Sequence, residues 1–287
     1  MVRHRGRAAD VVQIEGSLSV VTGAGSGIGR ATAFALSEGG SKVVVADIDE
    51  EAAAKTAADC GGIAYGVDVA DRGSVMGLAA TVIGDHGVPD IVVNNAGVGM
   101  CGSFLSSNLE DWDWIIGINL LGVVHGCHAF GPAMVARGSG QMVNVSSGLA
   151  YFPTPNESAY VTTKAGVLAF SQSLRAGWRT SGVGVSAICP GVIDTPIISQ
   201  TKFSGEEAEP SQRRRTEKLF ARGHPPEAVG NAIIRAVRRN RAVVPVGIEA
   251  RIGWYLRLLP QPAQGFLARA TSTSLSTGVP WRGRAEG

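Results

Sequence analysis

The sequence is poor in cysteine and in charged residues. It has 287 residues, of which four are cysteines and 17% are charged. With no Cys-x-x-Cys pair and no paired spacing, a disulfide framework or zinc module is excluded, and small buried thiols in a reducing cytosol are expected at Cys60, Cys101, Cys127 and Cys189. Hydrophobic residues make up 45% of the chain, which is enough for a sizeable core and excludes a disordered protein.

Long apolar runs are also missing. No stretch approaches the ~18 residues of a membrane-spanning helix. The N-terminal segment MVRHRGRAAD is basic and lacks the apolar part of a secretion signal. We therefore expect residues 1–14 to form a flexible tail, and the protein to be cytoplasmic.

Glycine, by contrast, is abundant. There are 39 glycines without a G-X-Y period, which excludes collagen. Thirty of them lie in residues 1–191, where 16 acidic residues outnumber 11 basic ones. From residue 192 onward, 15 basic residues outnumber 8 acidic ones. A glycine-rich, acidic body is thus followed by a basic C-terminal third.

Strand and helix patterns alternate along the chain. Short, continuously apolar segments are typical of parallel strands covered on both faces, and they occur at 17–22, 42–47, 63–68, 90–94, 141–146, 184–189 and 242–246. Helical patterns lie between them, at 26–38, 49–59, 72–86, 109–136, 157–180 and from 226 onward. This order predicts a single α/β domain over residues 15–246, a Rossmann-like doubly wound parallel sheet of about seven strands with helices on both faces.

The turn after the first strand is rich in glycine. Residues 22–29 read TGAGSGIG, with glycines at 23, 25, 27 and 29. Such a turn lets backbone N–H groups approach a pyrophosphate, which the N-terminus of the following helix also attracts. Because the turn follows a strand and opens a helix, it predicts a dinucleotide site that includes Gly23, Ser26, Gly27 and Ile28.

Asp47 ends the second strand, where a carboxylate accepts hydrogen bonds from the ribose hydroxyls of adenosine. It would repel a 2′-phosphate, and Ile48 rather than an arginine follows it, so we expect NAD(H) in preference to NADP(H). Arg30, close to the turn, keeps NADP(H) as the second option. The alternative is that Asp47 binds no cofactor and is simply a solvated strand end or a helix cap.

Tyr160 and Lys164 are four residues apart on a predicted helix, so they share one face. A nearby ammonium stabilises a tyrosinate and brings the phenol into the range of proton exchange. Such a pair is common in helices and by itself carries no function. Here Ser147, the run Asn94-Asn95-Ala96-Gly97 and the run from Pro190 to Thr195 all follow strand ends, where ligands bind in such sheets.

These motifs, in this order and spacing, closely resemble the short-chain dehydrogenase/reductase family over about residues 15–246. The resemblance implies that Tyr160 is the general acid/base and that Lys164 binds the nicotinamide ribose and lowers the tyrosine pKa. Ser147 would position the substrate, and Asn119 would support a water that relays protons to Lys164. The cofactor residues implied in addition are Asp68, Val69, Asn95, Ala96, Gly97, Pro190, Gly191, Ile193 and Thr195.

The substrate side is expected in the segments near the strand ends. Met100, Gly148, Phe152, Ile197 and Ile198 are candidate contacts, and neighbouring apolar residues favour a lipid-like, steroid-like or other apolar alcohol or ketone. Ordinary packing by these side chains is the alternative. Residues 196–226 form the substrate region, and their polar part, 204–222, is interpreted either as a lid or as a solvated surface helix.

A C-terminal extension, 247–287, follows the last strand. An amphipathic helix is predicted at 248–259, and the rest, rich in Ser, Thr, Gly and Pro, is expected to be disordered. We favour packing of this helix on a partner subunit; covering the substrate pocket or binding an anionic membrane are the alternatives. By resemblance we expect a homodimer or homotetramer that pairs through the helices at 109–136 and 157–180.

The predicted function is hydride transfer between NAD(H) and a secondary alcohol or ketone. A 3-oxoacyl-carrier reductase that uses NADPH is one alternative, and a non-catalytic dinucleotide sensor on the same fold is another. No metal is expected, because the five histidines form no ligand pattern with carboxylates. No nucleic acid is expected either, because the arginine clusters are not interleaved with aromatic residues.

Overall fold

The structure is a computed structural model that describes residues 11–152 and 154–266. Most of the expected N-terminal tail, Pro153 and residues 267–287 of the C-terminal extension lie outside the described residues. Ile14, which the sequence assigns to the tail, is buried in the core. The chain is therefore packed against the domain a few residues before the first strand.

Nine strands occur among the described residues, and seven of them form one parallel sheet in the order β3-β2-β1-β4-β6-β7-β9. They are β1 (Leu18–Thr22), β2 (Lys42–Asp47), β3 (Ile63–Gly66), β4 (Ile91–Asn94), β5 (Met100–Cys101), β6 (Gly140–Val145), β7 (Val183–Pro190), β8 (Lys202–Phe203) and β9 (Val243–Val246). The chain order reverses direction between β1 and β4, which makes a crevice at the carboxyl ends of these strands. The predicted doubly wound sheet is confirmed.

The helices lie between the strands, as the alternating pattern predicts. They are α1 (Gly27–Glu38), α2 (Glu50–Cys60), α3 (Arg72–His86), α4 (Leu109–Ile116), α5 (Gly122–Arg137), α6 (Ser158–Gly177), α7 (Pro210–Phe220), α8 (Pro226–Arg238) and α9 (Ile248–Leu256). Aspartate side chains set two of the starts, since Asp49 accepts the N–H of Ala52 and Asp71 accepts the N–H of Gly73.

Two apolar cores lie on opposite faces of the sheet. Alternate side chains of one strand point to opposite faces, so Val43 and Val45 join one core and Val44 joins the other. Leu36 of α1 and Ile233 of α8 pack in the first core; Phe130 of α5 and Val167 of α6 pack in the second. Because both faces are covered, the strands read as continuous apolar runs.

A short π-helical segment, Gly117–Leu121, joins α4 to α5. Among the described helices, the combined stretch Leu109–Arg137 is long and apolar enough to cross a membrane, with a mean hydropathy of 1.3. In this structure its residues Phe130 and Met134 pack on the sheet, as in a core helix. The π-helical turn, an insertion that is frequent at functional sites, carries Asn119.

Two short strands, β5 and β8, were not predicted from the sequence, and the helix α7 was one of two alternatives for its segment. β5 and β8 pair through Met100 with Lys202 and Cys101 with Phe203, which fixes the segment after the cofactor-side turn. The polar stretch contains α7, in which no residue is buried. The interpretation of this stretch as a surface helix fits that exposure, although the C-terminal end of α7 faces the site described next.

Candidate active site

One cleft runs along the carboxyl ends of the central strands. All sixteen residues that the sequence assigns to the cofactor line it, namely Gly23, Ser26, Gly27, Ile28, Asp47, Asp68, Val69, Asn95, Ala96, Gly97, Tyr160, Lys164, Pro190, Gly191, Ile193 and Thr195. Ser147 lines the same cleft. The fold therefore brings the glycine turn, the second-strand carboxylate and the Tyr-Lys pair to one place.

The glycine turn needs its glycines for two different reasons. Gly23 and Gly27 have φ values of +63° and +49°, which side chains other than glycine rarely adopt. Gly29 faces the carbonyl of Gly23 so closely that a methyl group would overlap it. Asn95 fixes the turn from β4, because its Nδ2 donates to the carbonyl of Thr22 at 2.9 Å and to that of Gly23 at 3.2 Å.

Asp47 contacts the same turn. Its Oδ2 accepts the backbone N–H of Gly25 at 2.8 Å, and its Oδ1 accepts that of Asp49 at 3.1 Å. Asp49, not Asp47, caps α2. The carboxylate is thus held at the rim of the cleft and helps to shape the turn.

Lys164 reaches the cleft from α6 and is only 4% exposed. Its Nζ donates to the carbonyl of Val145 at 3.2 Å, and its own carbonyl accepts the hydroxyl of Ser146 at 2.7 Å. Burial lowers the pKa of the Lys164 ammonium to about 8. A buried ammonium with this pKa is well suited to binding polar groups of a ligand in the cleft.

Tyr160 lies one turn before Lys164, and Lys164 Nζ is 5.9 Å from the centre of its ring. Burial raises the pKa of Tyr160 to about 12, a hydrogen bond with Ser147 lowers it, and Glu157 and Cys101 raise it further. Burial outweighs the lowering by Ser147, so in the absence of ligand the net pKa of Tyr160 lies above its ordinary value.

Asn119 is fully buried behind the cleft. Its Oδ1 accepts the N–H of Val98 at 2.8 Å and its Nδ2 donates to the carbonyl of Val98 at 2.9 Å. A methyl group on Gly97 would lie 3.1 Å from Asn119 Oδ1 and 3.2 Å from Lys164 Nζ. Asn119 therefore holds the strand-end turn beside Lys164, and it does not line the cleft itself.

The five candidate substrate residues lie in different surroundings, and not all of them line the cleft. Ile197 lines the cleft, whereas Met100 and Ile198 are buried and Gly148 packs against α9. Phe152 lines neither this cleft nor the cavity beside it.

The neighbouring cavity, of about 410 Å³, shares Phe220 with the cleft. Its lining includes apolar, acidic and basic residues, among them Pro155, Glu157, Glu207, Arg215, Lys218, Leu219 and Arg222. Phe220 lies in the predicted substrate region 196–226, but the sequence singles out neither Phe220 nor Glu157 as a site residue. Glu157 stands only three residues before Tyr160, at the start of its helix, and that position was the available signal.

Among the described residues, no group of three or more His, Cys, Asp or Glu side chains could hold a metal ion. The titratable groups of the cleft are Asp47, Asp68, Tyr160 and Lys164.

Comparison with known proteins agrees with this geometry. The family model described as short chain dehydrogenase matches residues 18–204. The chain therefore belongs to the short-chain dehydrogenase/reductase family of oxidoreductases, and the predicted resemblance is confirmed.

Individual relatives cover different shares of the chain. "Probable oxidoreductase EphD" of Mycobacterium tuberculosis is 47% identical over 257 residues, which are 85% of this chain and 43% of that protein. The chain thus spans less than half the length of this relative. D-threitol dehydrogenase of Mycolicibacterium smegmatis is 37% identical over 190 residues, 64% of this chain and 73% of that protein.

Among solved structures, a short-chain dehydrogenase/reductase from Burkholderia phymatum in complex with NAD is similar with a TM-score of 0.78. It is 26% identical, and the likeness covers 94% of this chain and 99% of that chain.

Proposed function

We propose that the protein is an oxidoreductase that transfers a hydride between NAD(H) and a secondary alcohol or ketone, with Tyr160 as general acid/base. One observation carries the proposal. The glycine turn, Asp47, Ser147, Tyr160 and Lys164 line a single cleft at the point where the strand order reverses.

The cleft fits a dinucleotide. Positive φ values at Gly23 and Gly27, and the close approach of Gly29 to Gly23, give the tight glycine turn at a helix N-terminus that suits a pyrophosphate. The small residue at Gly97 leaves the region in front of Lys164 Nζ open in the same way. When bound, the nicotinamide ring supplies or accepts the hydride, which is the difficult part of the chemistry.

The side chains of the protein would transfer the proton that accompanies the hydride. The Tyr160 hydroxyl gives a proton to the substrate oxygen or takes one from it, and the Ser147 hydroxyl orients that oxygen beside it. Lys164, cationic below its pKa of about 8, stabilises negative charge on the Tyr160 oxygen. Tyr160 starts from a raised pKa, so bound ligands must supply further stabilisation of the tyrosinate.

Two contacts support NAD over NADP. The Asp47 carboxylate lies at the end of β2, where a 2′-phosphate would bring a second negative charge close to it. Arg30 is the basic residue near the turn that could bind a 2′-phosphate. In this structure it forms a salt bridge with Asp59 at 3.0 Å and lies over the ring of Phe34. The similar Burkholderia protein was solved with NAD, which agrees with the same preference.

We propose an apolar body for the substrate, because Ile197, Leu219 and Phe220 line the cleft and its neighbouring cavity. D-threitol dehydrogenase, a relative, is named for a polyol, so a polyol is the alternative that the assay must include. We also propose a cytoplasmic homodimer or homotetramer that pairs through α4, α5 and α6. Leu105, Leu109 and Leu121, which are exposed on or beside α4 and α5, support such pairing.

The test is an absorbance assay of reduced nicotinamide with NAD and NADP against fatty alcohols, steroids, polyols and acyl ketones. Turnover with NAD and an apolar secondary alcohol is expected. Preference for NADPH with an acyl-carrier ketone would replace the proposal by the reductase alternative. Binding of NAD in a fluorescence titration without turnover of any substrate would favour the sensor.

A further inference from the structure

The first turn of α9 reaches the cofactor-side turn that follows β7. Glu249 extends its side chain so that Oε1 accepts the backbone N–H of Val192 at 2.7 Å. Gly191 lies against the same carboxylate so closely that a methyl group there would overlap Oε1. A residue outside the family's sequence motifs thus holds the turn from Pro190 to Thr195.

His224, which precedes α8, contacts both Glu249 and the same turn. Its Nε2 lies 3.2 Å from Glu249 Oε2, and its backbone N–H donates to the carbonyl of Val192 at 2.9 Å. The carbonyl of His224 accepts the N–H of Asp194, also at 2.9 Å. Glu249 and His224 thus form hydrogen bonds with three backbone groups, the N–H and the carbonyl of Val192 and the N–H of Asp194. Their side chains also contact each other.

The remaining inner face of α9 packs on the catalytic segment. Ala250 is buried, and its Cβ would lie 3.0 Å from a methyl group on Gly148, next to Ser147. The ring of Trp254 meets Tyr151 edge to face, with 5.0 Å between the ring centres. The contacts of Ala250 and Trp254 therefore fix the helix to the domain, which gives the Glu249 carboxylate a defined position.

We propose that Glu249 is a positioning residue for nicotinamide binding, which acts by holding the backbone of Val192 and so aligns the turn from Pro190 to Thr195. The inference rests on the proposed function, because it assumes that this turn contacts the nicotinamide end of the cofactor. The proposal also gives the C-terminal extension a role within the subunit, because the inner face of α9 supports the active site.

The charge of Glu249 suits this role. Partial burial acts to raise the pKa of its carboxyl, but hydrogen bonds from the N–H groups of Glu249 itself and Val192, and from His224, outweigh it and lower the pKa below its usual range. The side chain is therefore a carboxylate at neutral pH. A hydrogen bond from a backbone N–H to an ionised acceptor is stronger than one to a neutral acceptor.

Three variants test the proposal, with dissociation constants for NAD and for AMP measured by calorimetric titration. Glu249→Ala should weaken NAD at least about tenfold, because a charge-assisted hydrogen bond is lost. AMP, which reaches only the adenosine side near Asp47, should bind within about twofold of the unmutated protein. Glu249→Gln keeps an oxygen acceptor for Val192 and should restore most of the affinity for NAD.

Arg251→Ala is the matched control, since Arg251 is an exposed residue of the same helix, and it should change neither constant. If Glu249→Ala does not fold, His224→Ala takes its place, with a smaller loss of NAD affinity and none of AMP affinity expected. Unchanged NAD binding, or equal losses for NAD and AMP, overturns the inference. Failure of the unmutated protein to bind any nicotinamide dinucleotide would instead refute the proposed function.

Discussion

Asp47 Oδ2 accepts the backbone N–H of Gly25 at 2.8 Å, so the residue assigned to cofactor choice also holds the pyrophosphate turn. The two tasks depend on different properties of the carboxylate. Holding the turn needs a hydrogen-bond acceptor at Oδ2, whereas rejecting a 2′-phosphate needs negative charge. Substitutions at this position therefore separate the two tasks.

Asp47→Asn should relax the preference for NAD. The amide oxygen still accepts the Gly25 N–H, but the negative charge is gone, so we expect the ratio of kcat/KM for NAD over NADP to fall about tenfold or more. Asp47→Ala should relax the preference equally and also raise the dissociation constant for NAD several-fold, because the turn loses its acceptor. Both are measured by initial rates and fluorescence titration.

Asp49→Ala is the control for Asp47. It removes the N-terminal cap of α2 and should cost about 1 kcal/mol of unfolding free energy without changing the preference. An Asp47→Asn variant that discriminates against NADP as strongly as the unmutated protein would show that charge at this position does not select the cofactor.

Gly29→Ala and Gly77→Ala should shift stability in opposite directions. A methyl group at Gly29 overlaps the carbonyl of Gly23, so we expect a loss of about 1–3 kcal/mol and of dinucleotide binding. A methyl group at Gly77, inside α3, meets nothing within 4 Å, and the reduced freedom of the unfolded chain should add about 0.5–1 kcal/mol. Urea unfolding measures both; a stable Gly29→Ala that binds NAD would contradict the role of the turn.

Much of the fold and of the candidate site could be predicted, because both depend on local patterns. Strands buried on both faces are continuous apolar runs, and α3 begins and ends where its pattern does, at Arg72 and His86. The cofactor residues follow strand ends, and parallel strands bring those ends together, so Asp47 and Lys164 reach one cleft although 117 positions separate them.

What could not be predicted depends on contacts between distant segments with no repeating pattern. Glu249 and Val192 are 57 residues apart, and neither residue type signals the other. Asn119 was found through the family resemblance, but its π-helical turn and its pairing with Val98 have no periodicity. The position of Met100 likewise depends on β5 pairing with β8, two strands that are too short for an alternating pattern.

Tyr160→Phe should abolish turnover and leave dinucleotide binding within about twofold. The ring keeps its packing and only the proton-exchanging hydroxyl is lost, so a fall of kcat by at least ~10²-fold is expected. Tyr255→Phe, which changes an exposed tyrosine of α9, is the matched control and should have normal rates. Near-normal turnover by Tyr160→Phe would refute the proposed acid/base role.

Lys164 should make the stability of the protein depend on pH in the absence of ligand. Burial lowers the pKa of its ammonium from the ordinary 10.5 to about 8. Between pH 8 and 10 the unfolded chain keeps a proton on this lysine that the folded protein has lost, so the contribution of Lys164 to the free energy of unfolding rises with pH. The full difference corresponds to about 3 kcal/mol. The buried thiols of Cys101, Cys127 and Cys189, whose pKa values burial raises, act in the opposite direction over the same range, so the contribution of Lys164 is measured as a difference between the unmutated protein and a Lys164 variant.

Lys164→Met should therefore be more stable than the unmutated protein at pH 7 by up to ~3 kcal/mol, less the hydrogen bond to Val145, and this difference should shrink as the pH rises to 10. It should also be inactive, because the cation beside Tyr160 is gone. Lys55→Met, at an exposed position of α2, is the control and should show no such difference from the unmutated protein. Urea unfolding curves from pH 7 to 10 provide the measurement. If the difference in unfolding free energy between Lys164→Met and the unmutated protein does not change with pH, Lys164 does not carry a buried charge, and its assignment as the cation of the active site would be wrong.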